Sequence, residues 1–298
     1  MPTAIGPTAI ADTYAEAFRA HYARVIVTAV DDHWLAAATG EMCGYGTSVI
    51  GCDAEIAIEQ RLPPKETPDG RPGAAVLAFA FRDEELSKAI TNRVGQGVLT
   101  CPTSAVYNGL PAADQQTPLG KWLSYFGDGF QQSDQIDGRT MWRIPMMDGE
   151  FCVEETIGIA QGIAGGNLIL QGDTQAATLA AARRVVDALA DMRGVITPFP
   201  GGVVRSGSKV GSRYKKLVAS TNEAFCPTLR EQVETQLHPG AHCAYEVVFN
   251  GVDEQTVAQA TTAALHAAAG EGILEISAGN YGGKLGKFHF HLRELAEV

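Results

Sequence analysis

Glu246 sits in the stretch CAYEVVFN (243–250), where strand alternation puts Cys243, Tyr245, Val247 and Phe249 on one face and Ala244, Glu246 and Val248 on the other. No cation lies within that stretch. An ionised glutamate in apolar surroundings is costly unless it is paired or exposed, and one alternative is to stay protonated. A neutral carboxylic acid can donate a hydrogen bond to a developing oxyanion. The competing reading is a glutamate that faces water or pairs with a distant lysine or arginine.

Three glycine-rich segments are the other candidates for chemistry: Gly165-Gly166-Asn167, PFPGGVVRSGSKVGS (198–212) and SAGNYGGKLG (277–286). Their backbone N–H groups could cradle an anion; equally, glycine permits tight turns at strand ends. They are not nucleotide loops. Lys209 lies between Ser208 and Val210 and Lys284 precedes Leu285, so neither fits Gly-Lys-Ser/Thr, and no GxGxxG leads from a strand into a helix. The six cysteines form no CxxC pair. His238 and His242 are separated by Pro239-Gly240, and His289 and His291 have no third ligand nearby in sequence. Neither a metal site nor a Ser-His-Asp or Cys-His arrangement can be nominated from spacing.

The elements that must position these residues occur twice. Residues 74–81 read as a strand and 83–94 as a helix, followed by a turn at Gly95 and Gly97 and a strand near 98–101. Residues 243–249, 253–269, Gly270 with Gly272, and 273–277 repeat the series. Upstream of each lies another strand-helix pair, 24–30 with 32–42 and 167–171 with 174–193. Asp253 is a good N-cap, and Val257, Ala260, Thr261, Ala264, Leu265 and Ala268 form an apolar stripe at helical spacing. The expected fold class is therefore α+β, with two duplicated ferredoxin-like (split β-α-β) lobes, residues 1–160 and 161–298. Helices cover one face of such a sheet, which leaves Glu246 on the open face. Between the lobes, turn signals at Gly127-Asp128-Gly129, Asp137-Gly138-Arg139 and Asp148-Gly149-Glu150 separate short stretches (121–126, 140–145, 151–156), predicting an antiparallel β insertion.

Composition narrows the function classes. A formal net charge of -11 over 298 residues argues against a nucleic-acid surface. No run approaches the ~18 apolar residues of a membrane span. Residues 1–19 lack a basic start followed by an apolar stretch, so a cytoplasmic location is expected.

Over residues 12–292 the chain resembles formylmethanofuran:tetrahydromethanopterin formyltransferases. The matching stretches are DTYAEAFRAHYARVIVTA (12–29), GYGTSVI (44–50), ETPDGRPG (66–73), FGDGFQ (126–131), DGEFCVEETIGIAQGIAGGN (148–167), PFPGGVVRSGSKVGS (198–212), STNEAFCPT (220–228), CAYEVVFNG (243–251) and ISAGNYGGKLG (276–286). The resemblance implies reversible movement of a formyl group between the amine of methanofuran and N5 of tetrahydromethanopterin. It implies no prosthetic group or metal, only those two coenzymes as substrates. The family's catalytic acid falls on Glu246, which would hold a tetrahedral oxyanion. Staying neutral at pH 7 costs such a group about 4 kcal/mol, which full burial can supply.

The resemblance also implies a homo-oligomer, dimer or dimer of dimers, with the site at a subunit interface. Members in methylotrophic bacteria pair with a hydrolase, so amidohydrolase-like hydrolase subunits are expected partners. Gly201, Gly202, Ser206, Ser208, Lys209, Ser212, Thr221, Asn222, Asn280, Gly282, Gly283 and Lys284 are the candidates for substrate binding. The resemblance carries no individual role onto any of them. Two other readings stay open: a catalytically silent scaffold subunit of a formyl-hydrolysing complex, and a small-molecule-binding regulatory module.

Overall fold

A computed structural model describes residues 3–136 and 138–297. The chain packs as two compact units, Ala20–Gln161 and Met1–Arg19 together with Gly162–Val298. Residues 1–19, assigned from the sequence to the N-terminal lobe, thus belong with the C-terminal half. The reason is strand pairing. Thr8–Ile10 runs parallel to Ile273–Ser277, and Phe288–His291 runs antiparallel to Tyr14–Ala17. Ile10, Ala15 and Ala17 then bury in the same core as Val247 and Phe249. The strand predicted to start at Arg24 actually starts at Tyr14 and runs to Thr28.

In Ala20–Gln161 the elements that follow this strand are helix Asp32–Cys43, strands Glu55–Leu62 and Gly73–Ala80, helix Asp83–Arg93 and strand Ala105–Asn108. Val25 lies opposite Val76 on one side and Asn108 on the other, and Ile58 lies opposite Val76. The antiparallel order is therefore 105–108, 20–28, 73–80, 55–62. Leu35, Met42, Leu86 and Ile90 from the two helices bury with Val25, Val27, Val76 and Ala78.

Two expected strands of this unit are absent. Residues 98–101 were predicted extended, yet Val94–Val98 continues the helix as a π turn, with the Leu99 N–H donating to the Val94 carbonyl at 2.8 Å. Gly97 passes so close to the first helix that an added Cβ would meet Glu41 and Met42 at 3.2 Å. The strand comes later, at Ala105–Asn108. Residues 121–126 were predicted as part of the β insertion and instead form the helical turns Gly120–Ser124 and Tyr125–Gly127. Leu119 and Leu123 bury while Trp122, Tyr125 and Phe126 stay exposed, which is a helical period and not an alternating one.

The rest of the insertion is the expected antiparallel run, Gln132–Ile136, Arg139–Met146 and Gly149–Glu154. Asp137, from one of its turn signals, lies outside the described residues; Gly138 beside it has φ +76°.

In the other unit the order of elements is strand residues 162–172, helix Gln175–Ala190, strands Val195–Ile196 and Cys243–Gly251, helix Glu254–Ala268 and strand Ile273–Ser277. Thr174 and Asp253 cap the helices through the N–H groups of Ala177 and Thr256. Ile169 lies opposite both Glu246 and Ser277, and Val195 lies opposite Gly251. The succession and the strand order, 273–277, 162–172, 243–251, 195–196, match those of Ala20–Gln161. Val185, Ala181, Val257, Ala264 and Leu265 bury with Leu168, Val247 and Phe249 on one sheet face.

The opposite face is not open. Residues 197–242 form a long irregular segment, and its Phe225, Leu237 and Ala241 pack against Ile169. The expectation of an open face at Glu246 is corrected accordingly. Among the described residues no helix is long and apolar enough to cross a membrane.

Candidate active site

Strand alternation sends Val247 and Phe249 toward the helices and turns Glu246 to the covered face, where it is 3% exposed. The strand edge continues into residue 204: the Val204 N–H donates to the Glu246 carbonyl at 2.7 Å, and the Glu246 N–H donates back at 3.3 Å. This anchors the chain just ahead of Ser208. The Ser208 N–H donates to Oε2 of Glu246 at 2.6 Å, and the Ser208 hydroxyl lies 2.7 Å from Oε1.

Among the described residues Glu246 forms no ion pair. Burial pushes its carboxyl up to about 7, against the two hydrogen bonds from Ser208, which pull the other way. The group is therefore poised between acid and carboxylate at neutral pH. A small cavity of about 30 Å³ lies against it, lined in part by Val204, Ser206, Gly207, Asn222 and Tyr245.

A second buried glutamate lies in the same unit. Glu16, on the strand Tyr14–Thr28, is 1% exposed. Oε2 accepts from the N–H groups of Tyr281 (2.7 Å) and Gly283 (2.9 Å), and Oε1 from those of Leu285 (2.7 Å) and Gly286 (2.6 Å). The loop 277–286 is thus an anion cradle, and the anion is the protein's own carboxylate. Gly282 and Gly283, at φ +68° and +71°, turn the chain so that the N–H groups of Tyr281 and Gly283 both reach Oε2. Burial raises the Glu16 pKa, but the four N–H donors outweigh it and hold the group below the ordinary carboxylate value. The Tyr281 hydroxyl joins the two sites, donating to the Ser208 carbonyl at 3.1 Å.

The family model for formylmethanofuran-tetrahydromethanopterin formyltransferase matches residues 4–146, and that for the proximal lobe of the same family matches residues 149–295. The chain belongs to this formyltransferase family. It is 51% identical to the formylmethanofuran–tetrahydromethanopterin formyltransferase of Rhodopirellula baltica, over 98% of this chain and 92% of that protein. The solved formyltransferase of Methanosarcina barkeri superposes with a TM-score of 0.93 at 48% identity, covering 98% of this chain and 100% of the other. A chain of the formyltransferase/hydrolase complex from Methylorubrum extorquens, solved in complex with methylofuran, superposes with a TM-score of 0.95 at 43% identity, covering 99% of each. The mixed α and β architecture is therefore the one known for formyltransferases.

Within this formyltransferase-family chain the predicted site residues divide. Ser208 holds Glu246, and Ser206 and Asn222 line the cavity beside it. The Ser206 carbonyl accepts from the Asn222 N–H at 2.9 Å and from the Thr221 hydroxyl at 3.4 Å, closing that loop on itself. Lys209 is spent on an ion pair with Glu223. The Ser212 hydroxyl accepts from the Tyr214 N–H at 3.1 Å. Gly201 and Gly202 form a tight turn at positive φ; a Cβ on Gly202 would strike Val186 of the helix Gln175–Ala190, whereas one on Gly201 would meet open space.

Asn280 is tied to Thr13 and to the Tyr14 carbonyl; the Gly282 N–H donates to Oδ1 of Asn280 at 3.1 Å, and the Gly283 N–H to Glu16. Lys284 is exposed. Sequence reasoning missed Glu16 and Tyr281. The signal for Glu16 was the one used at Glu246, an acid between apolar neighbours in a strand (Ala15, Ala17), but the strand was started at Arg24.

A cavity of about 440 Å³ lies in Ala20–Gln161 and is lined by Asp83, Lys88, Gln115 and Trp122 among others, with no predicted site residue. Among the described residues no group of three His, Cys, Asp or Glu side chains could hold a metal ion.

Proposed function

We propose that this chain transfers a formyl group, reversibly, between the amine of methanofuran and N5 of tetrahydromethanopterin, with Glu246 acting as a neutral carboxylic acid. One observation carries the reading: the Glu246 carboxyl is buried, has no cationic partner among the described residues, and is pushed up to about 7. Family membership supplies the reaction in which such an acid is useful.

The N5 lone pair attacks the formyl carbon, and the carbonyl π pair moves onto oxygen. Each Glu246 oxygen has two lone pairs, one of which meets Ser208, so the second can carry the acidic proton toward the oxyanion. Collapse reforms the C=O bond and breaks the C–N bond to methanofuran. The departing nitrogen takes up the proton that N5 gives up, and Glu246 is unchanged over the cycle.

The test is a transfer assay with 5-formyl-tetrahydromethanopterin and methanofuran. Glu246→Ala is expected to lose about 10²- to 10³-fold in turnover, the usual effect of removing one oxyanion donor. Glu246→Gln keeps an N–H donor and should retain more. Wild-type turnover should decline as pH rises through about 7, where the acid is lost. Undiminished transfer by Glu246→Ala would sink the acid role while leaving the reaction class standing.

The same reading treats the two units as duplicated ferredoxin-like lobes, supported by their shared succession of elements and strand order. It places the lobe boundary near residue 160. A homo-oligomer belongs to it, as do hydrolase partners, the latter supported by the relative that was solved within a formyltransferase/hydrolase complex.

A further inference from the structure

We infer that Glu16 is a positioning residue for the acid at Glu246, acting through the Tyr281 hydroxyl and the backbone of Ser208; this rests on the role proposed for Glu246. The hydrogen bonds form one path within one unit. Both Glu16 oxygens are filled by backbone N–H donors of residues 281–286. That array sets the direction in which the Tyr281 ring leaves the loop, and Phe18, two residues along the strand from Glu16, packs on the ring at 6.3 Å. The Tyr281 hydroxyl then donates to the Ser208 carbonyl, and the Ser208 N–H and hydroxyl together hold Glu246.

Ser208 needs an outside constraint because its own segment offers little regular structure. Residues 205–208 lie between a single bridge at Val204 and the two-residue strand Lys209–Val210. Among the described residues, the hydrogen bonds to the Glu246 side chain come from this one residue. A small displacement of Ser208 would therefore strip both donors from Glu246 at once.

The glycine content of the loop fits this role. Gly286 has no room for a side chain, since an added Cβ would lie 2.7 Å from Cγ of Glu16 and against the Ala17 carbonyl. Asn280, just before Tyr281, is bound to Thr13 and Tyr14, so the loop is held at both ends by the strand that carries Glu16. A loop organised only to meet a substrate would not need a buried anion at its centre.

The path predicts a kinetic signature distinct from lost stability. Ser208 lowers the Glu246 pKa, so releasing Ser208 moves the alkaline limb of turnover to higher pH while kcat falls. In Tyr281→Phe, which removes one oxygen and keeps the ring, kcat should fall by about 10-fold with a smaller change in KM. The limb should move upward from about 7. Glu16→Gln should behave alike, and the double variant should be no worse than Glu16→Gln alone, because the two lie on one path.

The experiment is the pH profile of kcat and KM for wild type, Tyr281→Phe, Glu16→Gln and the double variant, with Glu246→Ala as control. A Tyr281→Phe enzyme with wild-type kcat and limb overturns the inference, even if Glu16→Gln fails to fold. So do additive losses in the double variant. Active Glu246→Ala, or a wild type without the alkaline limb, marks failure of the Glu246 role itself and takes the inference with it.

Discussion

Glu16 and Glu246 make a controlled comparison inside one molecule. Each is a strand glutamate at 3% exposure or less, each sits among apolar residues, and among the described residues neither forms an ion pair. Burial penalises the charged form of both. Glu16 receives four backbone N–H donors and is held below the ordinary carboxylate value. Glu246 receives two donors, both from Ser208 among the described residues, and is pushed up to about 7. Burial by itself therefore does not decide whether a carboxyl is charged; the number of donors that converge on it does. One site spends its N–H groups on a fixed anion that shapes a loop, and the other withholds them so that a proton can stay.

The largest effect expected from breaking this contrast is at Glu16. In Glu16→Gln either amide orientation turns an NH₂ toward two N–H donors and leaves them without an acceptor. At about 1–3 kcal/mol for each unsatisfied group, denaturant unfolding should show a loss of about 2–6 kcal/mol. Amide exchange at Tyr281, Gly283, Leu285 and Gly286 should speed up selectively. Equal exchange rates in the variant would mean that the cradle does not depend on the charge.

The opposite effect is expected at Glu246. Its folded pKa lies above the ordinary value of 4.5, so the folded state binds more protons between pH 4.5 and about 7, and stability falls as pH rises through that window. Glu246→Gln keeps both contacts with Ser208 and removes the titration. It should be about 3 kcal/mol more stable than wild type at pH 8 and no more stable at pH 4. Glu16 has the reverse sign: its stabilisation is present above pH 4.5 and is lost as pH falls through its lowered folded value. Unfolding curves at several pH values that failed to separate the two glutamates would undo the comparison.

Two smaller changes sharpen it. Gly286→Ala forces a methyl against the Glu16 stem and should cost about 1–3 kcal/mol, and by disturbing the cradle it should move the alkaline limb the same way as Glu16→Gln but by less. Ser208→Ala removes one of the two donors at Glu246 and keeps the N–H. The alkaline limb of turnover should then move up by less than about one pH unit. A downward shift would mean that water enters in place of the hydroxyl.

Glu246 was legible because a period of two and one acid among apolar neighbours are both local properties. The cap at Asp253 was legible for the same kind of reason. Glu16 carried the same local signal and escaped because its strand begins ten residues before the predicted start. The segment 277–286 read as able to cradle an anion; the Gly283 N–H meets one in Glu16, a carboxylate more than 260 positions away in the chain. Residues 98–101 read as a strand because their apolar content suits one; the close pass of Gly97 over the first helix makes them part of a turn.

The sequence by itself determined which face of the strand 243–251 is apolar, where the helices start, and that a carboxyl would stand among apolar groups. These follow from periodicity and capping, which act over a few residues. Only the tertiary structure decided the charge on each carboxyl. It covered Glu246 with residues 197–242, brought the Ser208 donors to it, and folded the 281–286 loop around Glu16. The physical reason is that a buried charge is settled by which donors reach it, and here those donors come from distant parts of the chain.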